Sequence, residues 1–320
     1  MRMIRLGRTN TNVAAVGLGT WSHGGPNLSG GASVGWSGND DDAVREALIA
    51  AHHSGINHWD TADVYGNGHA ERLIGGVWSE VPRDSIFLAS KVGYDAGPFS
   101  HFYHPQQVKL QIDQSLRNLK TEVIDLHYFH HCDFGPDDRH LDDALSAMTL
   151  ARDQGKIRFI GLSDWNSENI MRVIERINPD VVQPYRNIVD DTYASSGLQQ
   201  WVETHDLGAA FFSPLKHGLL LGKYAEPIEF PEGDFRKNIP DFQHAARLQK
   251  MSDAARTLKS KFEGHPQPVL SALVGALLSG TTNACVLLGQ RNSEQVAAAR
   301  QLGESLSLAE AQWVRQLYDA

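Results

Sequence analysis

The chain has two cysteines, Cys132 and Cys285, in 320 residues. That is too few for a disulfide framework, which sets aside the small stapled scaffolds and fits free thiols in a reducing compartment. No long block of one charge occurs, and the balance is acidic, with 29 Lys plus Arg against 38 Asp plus Glu and a formal net charge of −9. Such a surface lacks the basic footprint that nucleic acid requires. The opening residues Met1-Arg-Met-Ile-Arg-Leu-Gly-Arg-Thr9 carry no apolar stretch of signal-peptide length, so a cytoplasmic setting is expected. The uncharged run Pro266–Gln290 is long enough to span a bilayer, but Pro268 and the polar cluster Ser279-Gly-Thr-Thr-Asn283 divide it into a core helix, a turn and a buried strand. No membrane partner is expected. Also missing is a Gly-x-Gly-x-x-Gly after an early strand, the fingerprint of the usual dinucleotide-binding sheet.

What is present is an ordinary globular composition, 41% hydrophobic and 21% charged, enough for a large core. Residues 3–16 read as a hairpin around Gly7-Arg-Thr-Asn-Thr-Asn12, and Gly17-Leu-Gly-Thr-Trp21 as a first barrel strand. Asn39-Asp-Asp-Asp42 begins a helix with Ala43, Val44, Ala47, Leu48 and Ala51 on one face. Strands are then expected at Ile56–Asp60, Ile86–Lys91, Val123–His130, Ile157–Leu162, Asp180–Gln183, Ala209–Ser213 and Ala284–Leu288. Helices are expected near 69–78, 105–120, 139–154, 167–177, 195–206, 241–262, 268–279 and 292–303, with a C-terminal one at 307–319. This alternation, in a chain of this length, predicts an α/β fold of the (β/α)8 TIM-barrel type, residues 1–320 forming one domain with a short N-terminal hairpin and a C-terminal helix. The Gly- and Pro-containing stretch Leu215–Pro240 is long enough to be a lid or binding loop.

In a barrel the carboxyl ends of the strands share one mouth. The polar residues expected there are Asp60, Tyr65, Lys91, His130, His131, Ser163, Asp164, Gln183 and Ser213. Asp60 ends an apolar strand and needs a cation, because an isolated buried carboxylate is costly. Lys91, at the end of Ile86-Phe-Leu-Ala-Ser-Lys91, supplies one. An ammonium about 4 Å from the Tyr65 phenol contributes roughly 4 kcal/mol at an effective dielectric near 20, enough to lower its pKa by about three units. Tyr65 would then serve as a general acid, with His130 as a second donor to a carbonyl oxygen.

These stretches, together with Asp60-Thr-Ala-Asp-Val-Tyr65, Asp125-Leu-His-Tyr-Phe-His130, Gly161-Leu-Ser-Asp164, Phe212-Ser-Pro-Leu215, Gly222-Lys-Tyr224 and Leu288-Gly-Gln-Arg-Asn292, resemble the aldo-keto reductase family over nearly the whole chain. The resemblance implies a nicotinamide cofactor held without a Rossmann fold, and aldehydes or ketones reduced with Asp60, Tyr65, Lys91 and His130 as the catalytic tetrad. It implies that Ser163, Asp164 and Gln183 hold the carboxamide, that Phe212 stacks on the nicotinamide, and that Thr20, Trp21, Ser213 and Leu215 are further cofactor contacts. Gly289, Gln290 and Arg291 fall between the last strand and a helix capped by Asn292, with Gln295 at the capping-box position, and Arg291 beside that helix start suits a 2′-phosphate, favouring NADPH over NADH. The chain departs from the family's usual pattern in Asp164, commonly Asn, and in Ala298-Ala299, commonly Glu-Asn. The substrate pocket is expected to be lined by Trp21, His23, Phe99, Phe102, Tyr103, Trp165 and the loop after Pro214.

Two rival readings use other residues. His58, Asp60, His130, His131, Cys132, Asp133 and His140 are candidate ligands of a metal-dependent barrel hydrolase. Some relatives of the resembled family are nicotinamide-sensing regulatory subunits, in which binding would occur with little turnover. Oligomeric state is not readable from the residues.

Overall fold

The computed structural model describes residues 1–29 and 31–319. Strands β1 (Met3–Arg5) and β2 (Asn12–Ala14) pair antiparallel, so the N-terminal hairpin is where the sequence placed it. After β3 (Val16–Gly19), a second small hairpin, β4 (Leu28–Ser29) with β5 (Ala32–Ser33), forms in the loop before helix α1 (Asp41–His53). Its two-residue strands are too short to show an alternation that announces them.

The remaining strands are β6 (His58–Asp60), β7 (Phe87–Val92), β8 (Ile124–Phe129), β9 (Ile157–Asp164), β10 (Val181–Pro184), β11 (Gly208–Phe211) and β12 (Ala284–Gly289). All pair in parallel, and β3 with β6–β12 in chain order closes an eight-stranded barrel. This is the (β/α)8 TIM-barrel architecture that the alternation predicts. Between strands lie α2 (His69–Gly75), α3 (Pro105–Leu119), α4 (Leu141–Asp153), α5 (Ser167–Ile177), α6 (Thr192–Ser195), α7 (Leu198–Thr204), α8 (Ala245–Lys261) and α9 (Pro268–Leu278). Helices α10 (Ser293–Ala299) and α11 (Leu308–Tyr318) end the chain.

Local chemistry explains the boundaries. Asp40 caps α1 by accepting from the Ala43 amide, with Asp41 and Asp42 in the positive first turn. Pro105 opens α3, whose buried stripe Val108, Ile112 and Leu119 meets the barrel. Where one long helix was expected at 195–206, Gly197, at φ 85°, separates α6 from α7. The uncharged run resolves into α9, a turn and β12, and no helix among the described residues is long and apolar enough to cross a membrane.

Packing inside the barrel fixes one glycine. A Cβ on Gly161 would lie 2.2 Å from the Tyr128 ring, so only glycine leaves room for that aromatic beneath the mouth. Both cysteines are free and buried.

Candidate active site

Each residue of the expected tetrad sits at or just past a strand's carboxyl end. Asp60 closes β6, Lys91 lies in β7, and His130 follows β8, its amide donating to the Val92 carbonyl. Tyr65 lies in the turn between β6 and α2, and its carbonyl accepts the amide of Ala70 in that helix. The parallel registers Asp60 to Ala89 and Lys91 to Tyr128 bring these ends to one depth.

Lys91 is fully buried and has three hydrogens to place. Its Nζ donates to Asp60 Oδ1 at 2.5 Å, to the Thr61 carbonyl at 2.7 Å and to Tyr65 Oη at 3.3 Å. The other Asp60 oxygen accepts from Gln183 Nε2 at 2.7 Å. The carboxylate that demanded a cation therefore has one, plus an amide donor. Gln183 was expected only as a cofactor contact, and its hold on Asp60 was not legible because residues 123 positions apart meet only through barrel closure.

The electrostatics correct one expectation. Burial, followed by the nearby Asp60 charge, pushes the Tyr65 phenol well above its ordinary pKa rather than below it. The expected lowering treats Lys91 as an isolated cation, whereas here Asp60 2.5 Å away offsets its field. Burial likewise lowers the Lys91 pKa, against the pull of Asp60. Burial and then Lys91 hold His130 well below the imidazole range, so its ring is neutral. The ring of His130 meets Tyr65 edge-on at a centroid separation of 5.8 Å. The phenol remains a loaded proton donor at physiological pH, and the neutral imidazole retains one N–H to offer.

Around this group one cleft runs in two limbs, sharing Trp21, Tyr65, Gln183 and Phe212. The first limb includes Thr20, Ser213, Leu215, Gly289, Arg291 and Gln295 from the expected cofactor set, and adds Trp36, Lys223 and Arg236. The second, about 460 Å³, includes His130, Ser163, Trp165, Tyr94 and Phe235. Trp21 stacks beside Tyr65 at 6.1 Å, and Phe212 stands edge-on to Trp165 at 5.0 Å.

The loop before α1 and the 230s segment of the long 215–240 connection bridge beside the first limb. Phe235 donates its amide to the Gly35 carbonyl, Ser37 donates amide and hydroxyl to Asp234 Oδ2, and Arg236 pairs with Asp234 while its guanidinium lies 4.7 Å over Trp36. Arg291 Nη1 donates to the Ser37 carbonyl at 2.7 Å, and among the described residues it forms no ion pair.

Several expectations are corrected. Asp164 faces away from both limbs, its oxygens accepting from the Cys132 amide, the Asn166 amide and Asn169 Nδ2 at 2.8 to 3.0 Å. An acceptor-only group is thus used as a loop anchor. Gln290 is buried, its Nε2 donating to the Gly17 carbonyl at 3.1 Å, and it lines neither limb. Asn292 caps α10 as expected, but Gln295 Oε1 accepts from Arg291 N instead of completing a capping box. His23 is buried against the Gln290 carbonyl, Tyr103 against the His131 carbonyl, and Phe99 stacks on His104. Phe102 lines a separate cleft with His131, Cys132 and Arg172. None of these four lines the substrate limb. Among the hydrolase candidates, His58 contacts Cys285 inside the barrel, His131 contacts the Gly93 carbonyl, and His140 stacks on His101. They do not converge on one point, and no group of three such side chains among the described residues has metal-binding geometry.

Residues 15–316 match the model of the aldo/keto reductase family. The chain belongs to that family. It is 29% identical over 243 residues, 73% of this chain and 67% of the other, to an NADP(+) aldo-keto reductase of Schizosaccharomyces pombe. It is also 24% identical over 334 aligned positions, 100% and 99% of the two chains, to the NADH-specific methylglyoxal reductase of Escherichia coli. The structure of glycerol dehydrogenase from Gluconobacter oxydans superposes with a TM-score of 0.80 at 28% identity, covering 98% of this chain and 94% of that one. As an aldo-keto reductase, the protein is a nicotinamide-dependent oxidoreductase acting on carbonyl groups.

Proposed function

We propose that this aldo-keto reductase reduces an aldehyde or ketone to the alcohol, with NADPH preferred over NADH and Tyr65 giving the proton. The observation that carries the reading is the Lys91 ammonium, clamped by Asp60 at 2.5 Å and donating to Tyr65 Oη at 3.3 Å where the two limbs meet. We read residues 1–320 as one catalytic unit, since both limbs draw on loops from across the barrel.

The first limb fits a dinucleotide by its donor chemistry. Lys223, Arg236 and Arg291 give it positive charge suited to phosphates, and Phe212 offers an aromatic face where the limbs meet. Gln183, with Nε2 committed to Asp60, keeps its side-chain Oε1 for an amide N–H. The hydroxyl of Ser163 donates to the Gln183 backbone carbonyl and steadies that residue. When bound, the reduced nicotinamide supplies the hydride. The residues do the rest: Tyr65 Oη and the neutral His130 ring donate toward the carbonyl oxygen, polarising it, and Tyr65 then releases its proton there. Lys91 stabilises the resulting phenolate, and Asp60 with the Thr61 carbonyl holds Lys91 in place.

The half-buried Arg291, without an ion-pair partner among the described residues, supports the preference for a 2′-phosphate. Tyr65→Phe tests the assignment. It should lower turnover of aldehydes by at least about a thousandfold while leaving the NADPH dissociation constant within about threefold, as expected for a group acting in the transition state. Normal aldehyde reduction by that variant would refute it, and tight NADPH binding by the wild type with no turnover of any carbonyl would favour the sensor reading.

A further inference from the structure

The two limbs differ in sign. Two cationic side chains without an ion-pair partner among the described residues, Lys223 and Arg291, line the first beside Arg236, which is paired with Asp234, whereas no Lys or Arg among the described residues lines the second. The one ammonium near the second limb, Lys91, has all three hydrogens committed, to Asp60, Thr61 and Tyr65. Its net field is further reduced by Asp60, and its other neighbour across the mouth, His130, is an uncharged ring. A charged group does line the second limb, and it is the carboxylate of Asp95. That carboxylate is held in place by the Gly97 amide at 2.8 Å and by Gln111 Nε2 at 2.9 Å, so it is a fixed feature of the rim.

The walls are aromatic. Trp21 and Phe235 stand 4.9 Å apart by ring centroid, Phe235 and Trp165 5.9 Å apart and nearly parallel, and Tyr94 packs on His130 at 4.7 Å. These faces match a flat ring, which gains from stacked and edge-on contacts as well as from burial. The polar side chains among them, Asn27, Asn67, Tyr65 and His130, are uncharged. A carboxylate or phosphate entering this limb would shed water without meeting a cation, and would approach the Asp95 charge as it did so. Rejection by unmet desolvation and like charge is a recognised route to selectivity.

Building on the carbonyl-reductase reading, we propose that the substrate is an uncharged aromatic aldehyde or ketone, and that the site discriminates against anionic carbonyl compounds, with Asp95 at the rim setting the sign. The first limb's cations then serve the cofactor alone, so one cleft separates a polyanion from its substrate by charge.

The test compares 4-formylbenzamide with 4-formylbenzoate, which share shape and differ in charge, as substrates at saturating NADPH, or NADH if that is the cofactor used. Wild-type kcat/KM should be at least about tenfold higher for the amide. In Asp95→Asn the ratio should fall by about twofold to threefold, as expected for an exposed charge several ångströms away in a water-like dielectric. Raising the salt concentration should narrow the wild-type ratio in the same direction. Equal or faster turnover of the benzoate overturns the proposal while leaving the reductase reading intact. An unchanged ratio in Asp95→Asn overturns the role given to Asp95. Failure to reduce either compound, together with failure on simple aliphatic aldehydes, overturns both readings. Reduction of the aliphatic aldehydes alone overturns only the aromatic assignment.

Discussion

Replacing Lys91 by methionine tests whether the buried pair under the barrel mouth matters to the fold as well as to the chemistry. Lys91 and Asp60 expose only 1% and 4% of their side chains. Methionine matches the length of the lysine stem, so the main change is loss of the ammonium, which strands the Asp60 carboxylate with Gln183 as its one remaining side-chain donor among the described residues. Removing one partner of a buried pair costs about 3 to 5 kcal/mol, mostly because the remaining charge is uncompensated. Against a total stability of about 5 to 15 kcal/mol, that is a large fraction. The double variant Asp60→Asn/Lys91→Met removes both charges and keeps an acceptor for Gln183 Nε2, so it should regain most of the loss. Urea unfolding followed by far-ultraviolet circular dichroism measures all three proteins, and both variants should lack turnover. A single-variant loss below about 1 kcal/mol, or a double variant no more stable than the single, would refute the view that Asp60 is a buried charge needing its cation.

Two further outcomes follow from other parts of the site. Arg291→Met should weaken NADPH binding about tenfold, the value of one charge-assisted contact, and leave NADH binding nearly unchanged in a tryptophan-fluorescence titration; parallel weakening of both would place Arg291 elsewhere. Buried histidines should make the fold acid-sensitive: burial holds His23 and His58 at about 4, and His127 and His217 at about 3. The unfolded chain takes up these protons below about pH 6.5 while the folded one resists them, so stability should decline as pH falls from about 6.5 toward 4, by up to about 3 kcal/mol for each group. An unchanged urea midpoint between pH 7 and pH 5 would contradict this.

The linear chain carried its own fold because each barrel strand is a short apolar run bounded by turn chemistry and each helix shows a local stripe or cap. Asp40 before α1 and Pro105 at the head of α3 are decisions made within a few residues. The tetrad was legible for a related reason, since a carboxylate, an ammonium and an imidazole at the ends of apolar strands are costly to bury unless they meet one another. What required tertiary structure were the partners across the closed barrel. Gln183 reaches Asp60, the 230s segment bridges to the loop before α1, and Asp164 turns to anchor the loop after β8. The direction of the Tyr65 shift was decided there too: the chain order already pairs Asp60 with Lys91, but how closely that pair cancels at the phenol and how deeply the phenol is buried are set only when the barrel closes. The division of the cleft into a cationic and an aromatic limb arises from Lys223, Arg236, Arg291, Tyr94 and Phe235. These residues lie on separate loops, and no local pattern relates them, because side-chain proximity across a barrel mouth is set by strand order and closure rather than by distance along the chain.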